Sequence, residues 1–141
     1  MEPVVRRSAG LDVHRNSVVV TVLIEQDDGN IFEETREFGT FKKDRRELCT
    51  WLTDHGIELA VMESTSIYWK AIFSALEGAG ITVHVVNARH VKNVPGRKTD
   101  VKDSQWLASL ARFGLLRPSF IPPEDLRELD RKSTRLNSSH P

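Results

Sequence analysis

From Val18 to Ile24 the chain reads Val-Val-Val-Thr-Val-Leu-Ile, and Leu11-Asp12-Val13 precedes it in a similar pattern. Such a β-branched run predicts a strand. Asp27-Asp28-Gly29-Asn30 predicts a turn, and Ile31 to Phe38 a second strand that closes a hairpin on the first. From Lys42 to His55 the pattern changes to helical spacing. Leu48, Trp51, Leu52 and His55 share one face, and Gly56 ends the helix. Leu59 to Met62 is a short apolar run, as in a buried strand, and it stops at Glu63. Ser64 and Thr65 suit a helix cap, and Trp69, Ile72, Phe73, Leu76 and Ala79 form the stripe of the helix that follows, up to Gly80. Ile81 to Val86 reads as a strand, residues 87–98 as a short helix or loop broken at Pro95-Gly96, and Asp100 to Phe113 as the last helix. Strands alternating with helices predict an α/β fold with a mixed sheet flanked by helices. The opening hairpin is antiparallel, and the later strand–helix–strand unit is expected to be parallel.

This order sets the expected organisation. Residues 1–8 read as a flexible leader, 9–117 as one domain, 118–131 as the start of a linker or helical segment, and 132–141 as a disordered tail. The 141 residues suit one domain. With 39% apolar and 28% charged residues the chain is an ordinary globular one. No apolar run approaches the ~20 residues of a membrane span. The single cysteine, Cys49, excludes an internal disulfide and a cysteine zinc cage, and a lone thiol fits a reducing cytoplasm. Beside Leu48 and Leu52, Cys49 reads as a buried, inert thiol.

The zero net charge hides a split. Residues 23–58 hold ten acidic and five basic side chains, whereas residues 87–117 hold seven basic and two acidic ones. A polyanion would prefer the second region, although many basic stretches are merely solvated.

Four carboxylates stand out by position. Asp12 interrupts an apolar strand pattern, Glu63 ends a buried strand, and Asp100 and Asp103 stand three apart at the start of a helix. Open α/β sheets place ligands beyond their strand ends. The three-residue spacing sets both aspartates on one helix face, which Leu107 and Leu110 continue toward the protein body. Converging carboxylates repel, and a divalent cation such as Mg²⁺ or Mn²⁺ relieves this. Plainer readings stand beside these: Asp100 as a helix cap, Asp103 as favoured by the helix dipole, Asp12 at a bulge and Glu63 as a surface charge. The four together, on this strand order, favour a site. His14 reads as a solvated histidine at the strand edge, His84 as strand surface and Trp69 as core. Tyr68, off the apolar stripe, stays open as a base-stacking side chain.

The stretch from Met62 to Lys70 (MESTSIYWK) and the run from Val86 to Asp103 (VNARHVKNVPGRKTDVKD) resemble the DEDD transposases of bacterial insertion sequences, a group that includes the Piv-like site-specific DNA invertases. Gly10 to His14 (GLDVH) is similar to the opening motif of that family, and Leu115 to Phe120 also fits. The resemblance covers about residues 9–130. It implies an RNase H-like, RuvC-like domain whose acidic tetrad is Asp12, Glu63, Asp100 and Asp103. Such a domain uses Mg²⁺ or Mn²⁺ to cut and rejoin DNA at element ends and target. It also implies a homo-oligomer when full length and, as for some members, a guide RNA. Arg89, Lys92, Arg97, Lys98 and Lys102 would then contact nucleic-acid phosphates.

Two departures matter. Ser66 stands where the family commonly has glycine. Beyond Asp130 a longer helical segment and a domain with a nucleophilic serine are expected, whereas residues 132–141 read as foreign to the family. The resemblance therefore predicts a catalytic domain that does not complete transposition alone. Rival readings are a stand-alone junction resolvase or nuclease of the same fold, a non-catalytic nucleic-acid module, and an actin-like sugar kinase or ATPase. The last is disfavoured because His14 and Arg15, not a phosphate-cradling glycine, follow Val13.

Overall fold

A computed structural model describes residues 2–63, 67–98 and 100–116. Five strands form one mixed sheet: β1 (Arg7–Val13), β2 (Val18–Glu25), β3 (Ile31–Phe38), β4 (Leu59–Glu63) and β5 (Val83–Val86). Their spatial order is β3-β2-β1-β4-β5. β1–β2 and β2–β3 are antiparallel, while β1–β4 and β4–β5 are parallel. The helices are α1 (Lys42–Asp54), α2 (Trp69–Gly78), α3 (Ala88–Asn93) and α4 (Asp103–Arg112).

The two faces of the sheet differ. Alternate residues point to opposite sides, so Ala9 and Leu11 of β1, Val18, Val20, Val22 and Ile24 of β2, and Ala60 and Met62 of β4 meet the apolar stripes of α1 and α2. The residues between them point the other way. There Val61 and Val86 pack with Val91 of α3 and with Leu107, Leu110 and Ala111 of α4. Each helix thus buries one stripe against the sheet, and α4 lies over β1, the central strand.

The expected hairpin, the strand ending at Glu63 and the parallel strand–helix–strand unit are all present. The opening differs. Leu11–Val13 belongs to a separate strand, because the chain reverses at Arg15-Asn16, where the His14 N–H donates to the Ser17 carbonyl at 2.8 Å. This reversal has no glycine or proline to mark it. β1 also starts inside the segment read as a leader. Arg7 and Ser8 are strand residues, and the Val4 N–H donates to the Arg112 carbonyl at 2.8 Å. The tail and the linker read in residues 118–141, and the caps Ser64 and Thr65 with Ser66, lie outside the described residues. Among the described residues no helix is long and apolar enough to cross a membrane.

Candidate active site

The parallel pairing of β1 with β4 brings the first two carboxylates together. Leu11 sits opposite Met62, and one residue further along are Asp12 and Glu63, at the carboxyl ends of adjacent strands. Both belong to the alternation that faces α4, since Ser8 and Gly10 precede Asp12 on that side and Val61 precedes Glu63. α4 supplies the third carboxylate, Asp103, from its first position.

Gly10 sets how close that helix lies. A β-carbon there would run into the Ser104 carbonyl oxygen and the Ala108 amide nitrogen, and would stand 2.8 Å from Leu107 Cβ. A glycine inside a strand often marks such a backbone approach. Polar contacts surround it. The Ser8 hydroxyl donates to the Ala108 carbonyl at 3.0 Å, and the Thr21 and Ser104 hydroxyls lie 2.9 Å apart.

Glu63 records the result electrostatically. Half-buried, it holds its proton above the usual glutamate range, first because burial disfavours its charge and then because Asp103 and Asp12 repel it; Lys92 and Arg97 act in the opposite sense. The other two carboxylates of this cluster each have a cationic or potentially cationic neighbour. Arg97 Nη2 donates to Asp103 Oδ1 at 2.8 Å, and His14 Nε2 lies 3.0 Å from Asp12 Oδ2. Among the described residues no three histidine, cysteine or acidic side chains gather closely enough to cage a metal. The charges of Asp12 and Asp103 therefore reach Glu63 without the three forming a closed ligand set.

The start of the last helix is a correction. The sequence reading begins the last helix there and places Asp100 and Asp103 on one helical face. The helix starts at Asp103 instead, after an extended Lys102 whose N–H donates to Gln105 Oε1 at 2.9 Å. Arg97 Nη2 also donates to the Val101 carbonyl at 2.6 Å, tying down the segment before the helix. Asp100 is an exposed turn residue, and the charges acting on Glu63 are those of Asp103, Asp12, Lys92 and Arg97. Asp103 has a side chain 52% exposed, so it looks out over the sheet end rather than into the protein body.

All five expected phosphate-binding residues, Arg89, Lys92, Arg97, Lys98 and Lys102, are exposed, and they fall on α3 and the segment joining it to α4. The side chain of Asn87 caps α3 by accepting from the Arg89 N–H at 2.7 Å. Trp69 is core, as expected, and Tyr68 is exposed. Cys49 is partly buried against the Ala75 carbonyl, and burial pushes its thiol up, as befits an inert group. His84 is less exposed than a strand-surface residue, and burial lowers its proton affinity. Sequence reasoning missed the roles of Gly10, Thr21 and Ser104 and the pairing of Arg97 with Asp103. The first two carried a signal: a glycine within a strand pattern and a lone polar residue within a valine run.

A five-stranded mixed sheet with three antiparallel strands, two parallel additions and acidic side chains at the carboxyl ends of its central strands defines an RNase H-like fold of the RuvC type. The structure is similar to that of Thermus thermophilus RuvC, at 14% sequence identity and a TM-score of 0.55, covering 80% of this chain and 99% of that one. It is also similar to T. thermophilus RuvC in complex with Holliday junction substrate, at 15% identity and a TM-score of 0.51, covering 89% of each chain. No curated protein matches the chain in sequence. The transposase family model of the IS110 DEDD type matches residues 9–138. The chain belongs to the IS110-type DEDD transposase family, a family of DNA-cleaving enzymes. The matched span reaches into the segment read from sequence as a tail.

Proposed function

We propose that this domain binds DNA at element ends and target, and that Asp12, Glu63 and Asp103, joined by Asp100 from the turn before α4, hold Mg²⁺ or Mn²⁺ for strand cleavage and transfer. The observation that carries this reading is the placement of Asp12 and Glu63 side by side on parallel strands beneath the first residue of α4. The donor chemistry fits: the groups are hard carboxylate oxygens, and the proton affinity of Glu63 is raised first by burial and then by the charges of Asp103 and Asp12. When bound, the divalent cation supplies Lewis-acid stabilisation of charge on phosphate oxygens. The chain's own residues do the rest. Asp12 and Glu63 would present oxygens from the carboxyl ends of two interior strands, and Asp103 would add its own once Arg97 lets go. Arg89, Lys92, Lys98, Lys102 and the released Arg97 hold the phosphate backbone alongside. A guide RNA would use the same basic segment, and we place the working protein as a homo-oligomer in the cytoplasm on family grounds alone.

The test is binding of a labelled duplex carrying element ends, followed by fluorescence anisotropy with Mg²⁺ and with chelator. Affinity is expected to rise at least about threefold with Mg²⁺, and Asp12→Asn is expected to remove that increment alone. With at most five cations on phosphates, the slope of log K against log salt should be no steeper than about −4.5. Binding that ignores both metal and Asp12 would favour a non-catalytic nucleic-acid module. Metal-dependent binding of four-way junctions in preference to element ends would favour a resolvase.

A further inference from the structure

Asp103 reaches the site from a helix, and its position depends on how that helix is seated along the sheet. The apolar contacts under α4, made by Leu107, Leu110 and Ala111, are non-directional and tolerate a slide or a roll. Directional contacts also hold the helix: Ser8 Oγ donates to the Ala108 carbonyl in its middle, Arg112 Nη2 donates to Glu25 Oε1 at its far end, and a separate set secures the end that carries Asp103. The hydroxyl of Ser104, the next residue, lies 2.9 Å from that of Thr21 in the middle of β2, and both residues are buried. The Thr21 hydroxyl is in turn 2.6 Å from that of Thr35 on β3. Gln105 Nε2 donates to Glu33 Oε2, also on β3, at 2.9 Å.

Thr21 sits opposite Gly10 in the β1–β2 register. The glycine lets the helix come close, and the threonine, beside it, gives the first turn of the helix a polar point to lock onto, as Ser8 does for its middle. In the valine run of β2 an apolar residue would fill this space equally well, so the hydroxyl is there for its hydrogen bonds. In a water-poor interface a chain of three hydroxyls is satisfied in only a narrow range of helix positions.

We propose that Thr21 is a positioning residue for the metal site: through Ser104, with Thr35 behind it, it fixes the first turn of α4 and so holds Asp103 over Asp12 and Glu63. Two strands that carry none of the site's carboxylates thereby help to set its geometry at the end of α4 that bears Asp103. The inference rests on Asp103 being a ligand of the proposed site.

The test compares Thr21→Val, Thr21→Ser and, as a control on the other face of the same strand, Val22→Ala. Two quantities are read in the 141-residue chain: the Mn²⁺ dissociation constant by calorimetry, and hydrogen-exchange protection of the Trp106 amide, which donates to the Lys102 carbonyl at 2.9 Å in the first turn of α4. Thr21→Val is expected to weaken Mn²⁺ binding at least threefold and to lower Trp106 protection at least tenfold. Thr21→Ser keeps both within twofold of the original. Val22→Ala, which loses core packing, lowers the melting temperature but leaves both unchanged. Unchanged protection in Thr21→Val, or an equal loss in Val22→Ala, overturns the positioning role. If the unaltered chain binds no Mn²⁺ while Trp106 protection still falls in Thr21→Val alone, the seating of α4 by Thr21 stands and the metal site is what fails.

Discussion

Half-buried at the end of β4, Glu63 keeps its proton to a higher pH than a free glutamate, because burial and the charges of Asp103 and Asp12 all oppose ionisation. Its folded-state proton affinity exceeds that of the unfolded chain. Its contribution to stability is therefore full below the ordinary glutamate range and is lost as pH rises through its raised range. At pH 7.5 in chelator, Glu63→Gln is expected to melt roughly 1–3 °C higher than the original protein, and the difference should vanish on acidification. A lower melting temperature for the variant at pH 7.5 would mean that Glu63 is stabilised by a partner instead. Arg97 is the complementary residue, since it neutralises Asp103 at 2.8 Å. An exposed pair of this kind is worth at most about 1 kcal/mol. Arg97→Gln should accordingly tighten Mn²⁺ binding by up to about fivefold while weakening DNA binding. Titrations of each ligand separately check these opposite signs. Asp12, Glu63 and Asp103 were legible as residues because each breaks a local rule: a charge in an apolar strand, at a buried strand end, or at the head of an apolar helix stripe. The partners His14 and Arg97 were not, since contacts across turns depend on chain reversals that a pattern does not encode.

At the scale of elements, α4 and its seat on β1 decide whether the carboxylates share a site. Gly10 is the test. Adding a methyl there forces the helix away from the backbone it rests on, and overpacking of this kind costs typically 1–3 kcal/mol. Gly10→Ala is expected to stay folded, melt several degrees lower and lose Mn²⁺ affinity at least about tenfold. Retained affinity at a lowered melting point would show that α4 does not set the site. The elements themselves were largely legible, because periods of 2 and 3.6 alternate cleanly along this chain. What was not legible was the start of α4. Asp100 is a good cap by residue type and three residues before Asp103, yet Arg97 and Gln105 stabilise an extended Lys102, and the helix begins after it. β1 was merged with its neighbour for the same reason: its turn is made by Arg15 and Asn16 without glycine or proline.

For the molecule as a whole, strand order 3-2-1-4-5 places β1 at the centre with a parallel neighbour, and the carboxyl ends of that pair set the two strand-borne carboxylates of the candidate set side by side. The exposed cations of α3 and the following segment lie next in the chain after β5, beside that end, whereas the acidic residues gather on the β3 side. A polyanion meeting this surface would be drawn to the basic flank. The mixed sheet was foreseeable from alternating strands and helices. The central position of β1 was not, because strand order is a tertiary property. The most direct test of the account is Mn²⁺ binding to the 141-residue chain, followed by calorimetry for the original protein and for Asp12→Asn, Glu63→Gln and Asp103→Asn. The account predicts that each substitution alone weakens binding at least about tenfold. Binding that survives all three substitutions, or that none of them changes, would contradict it.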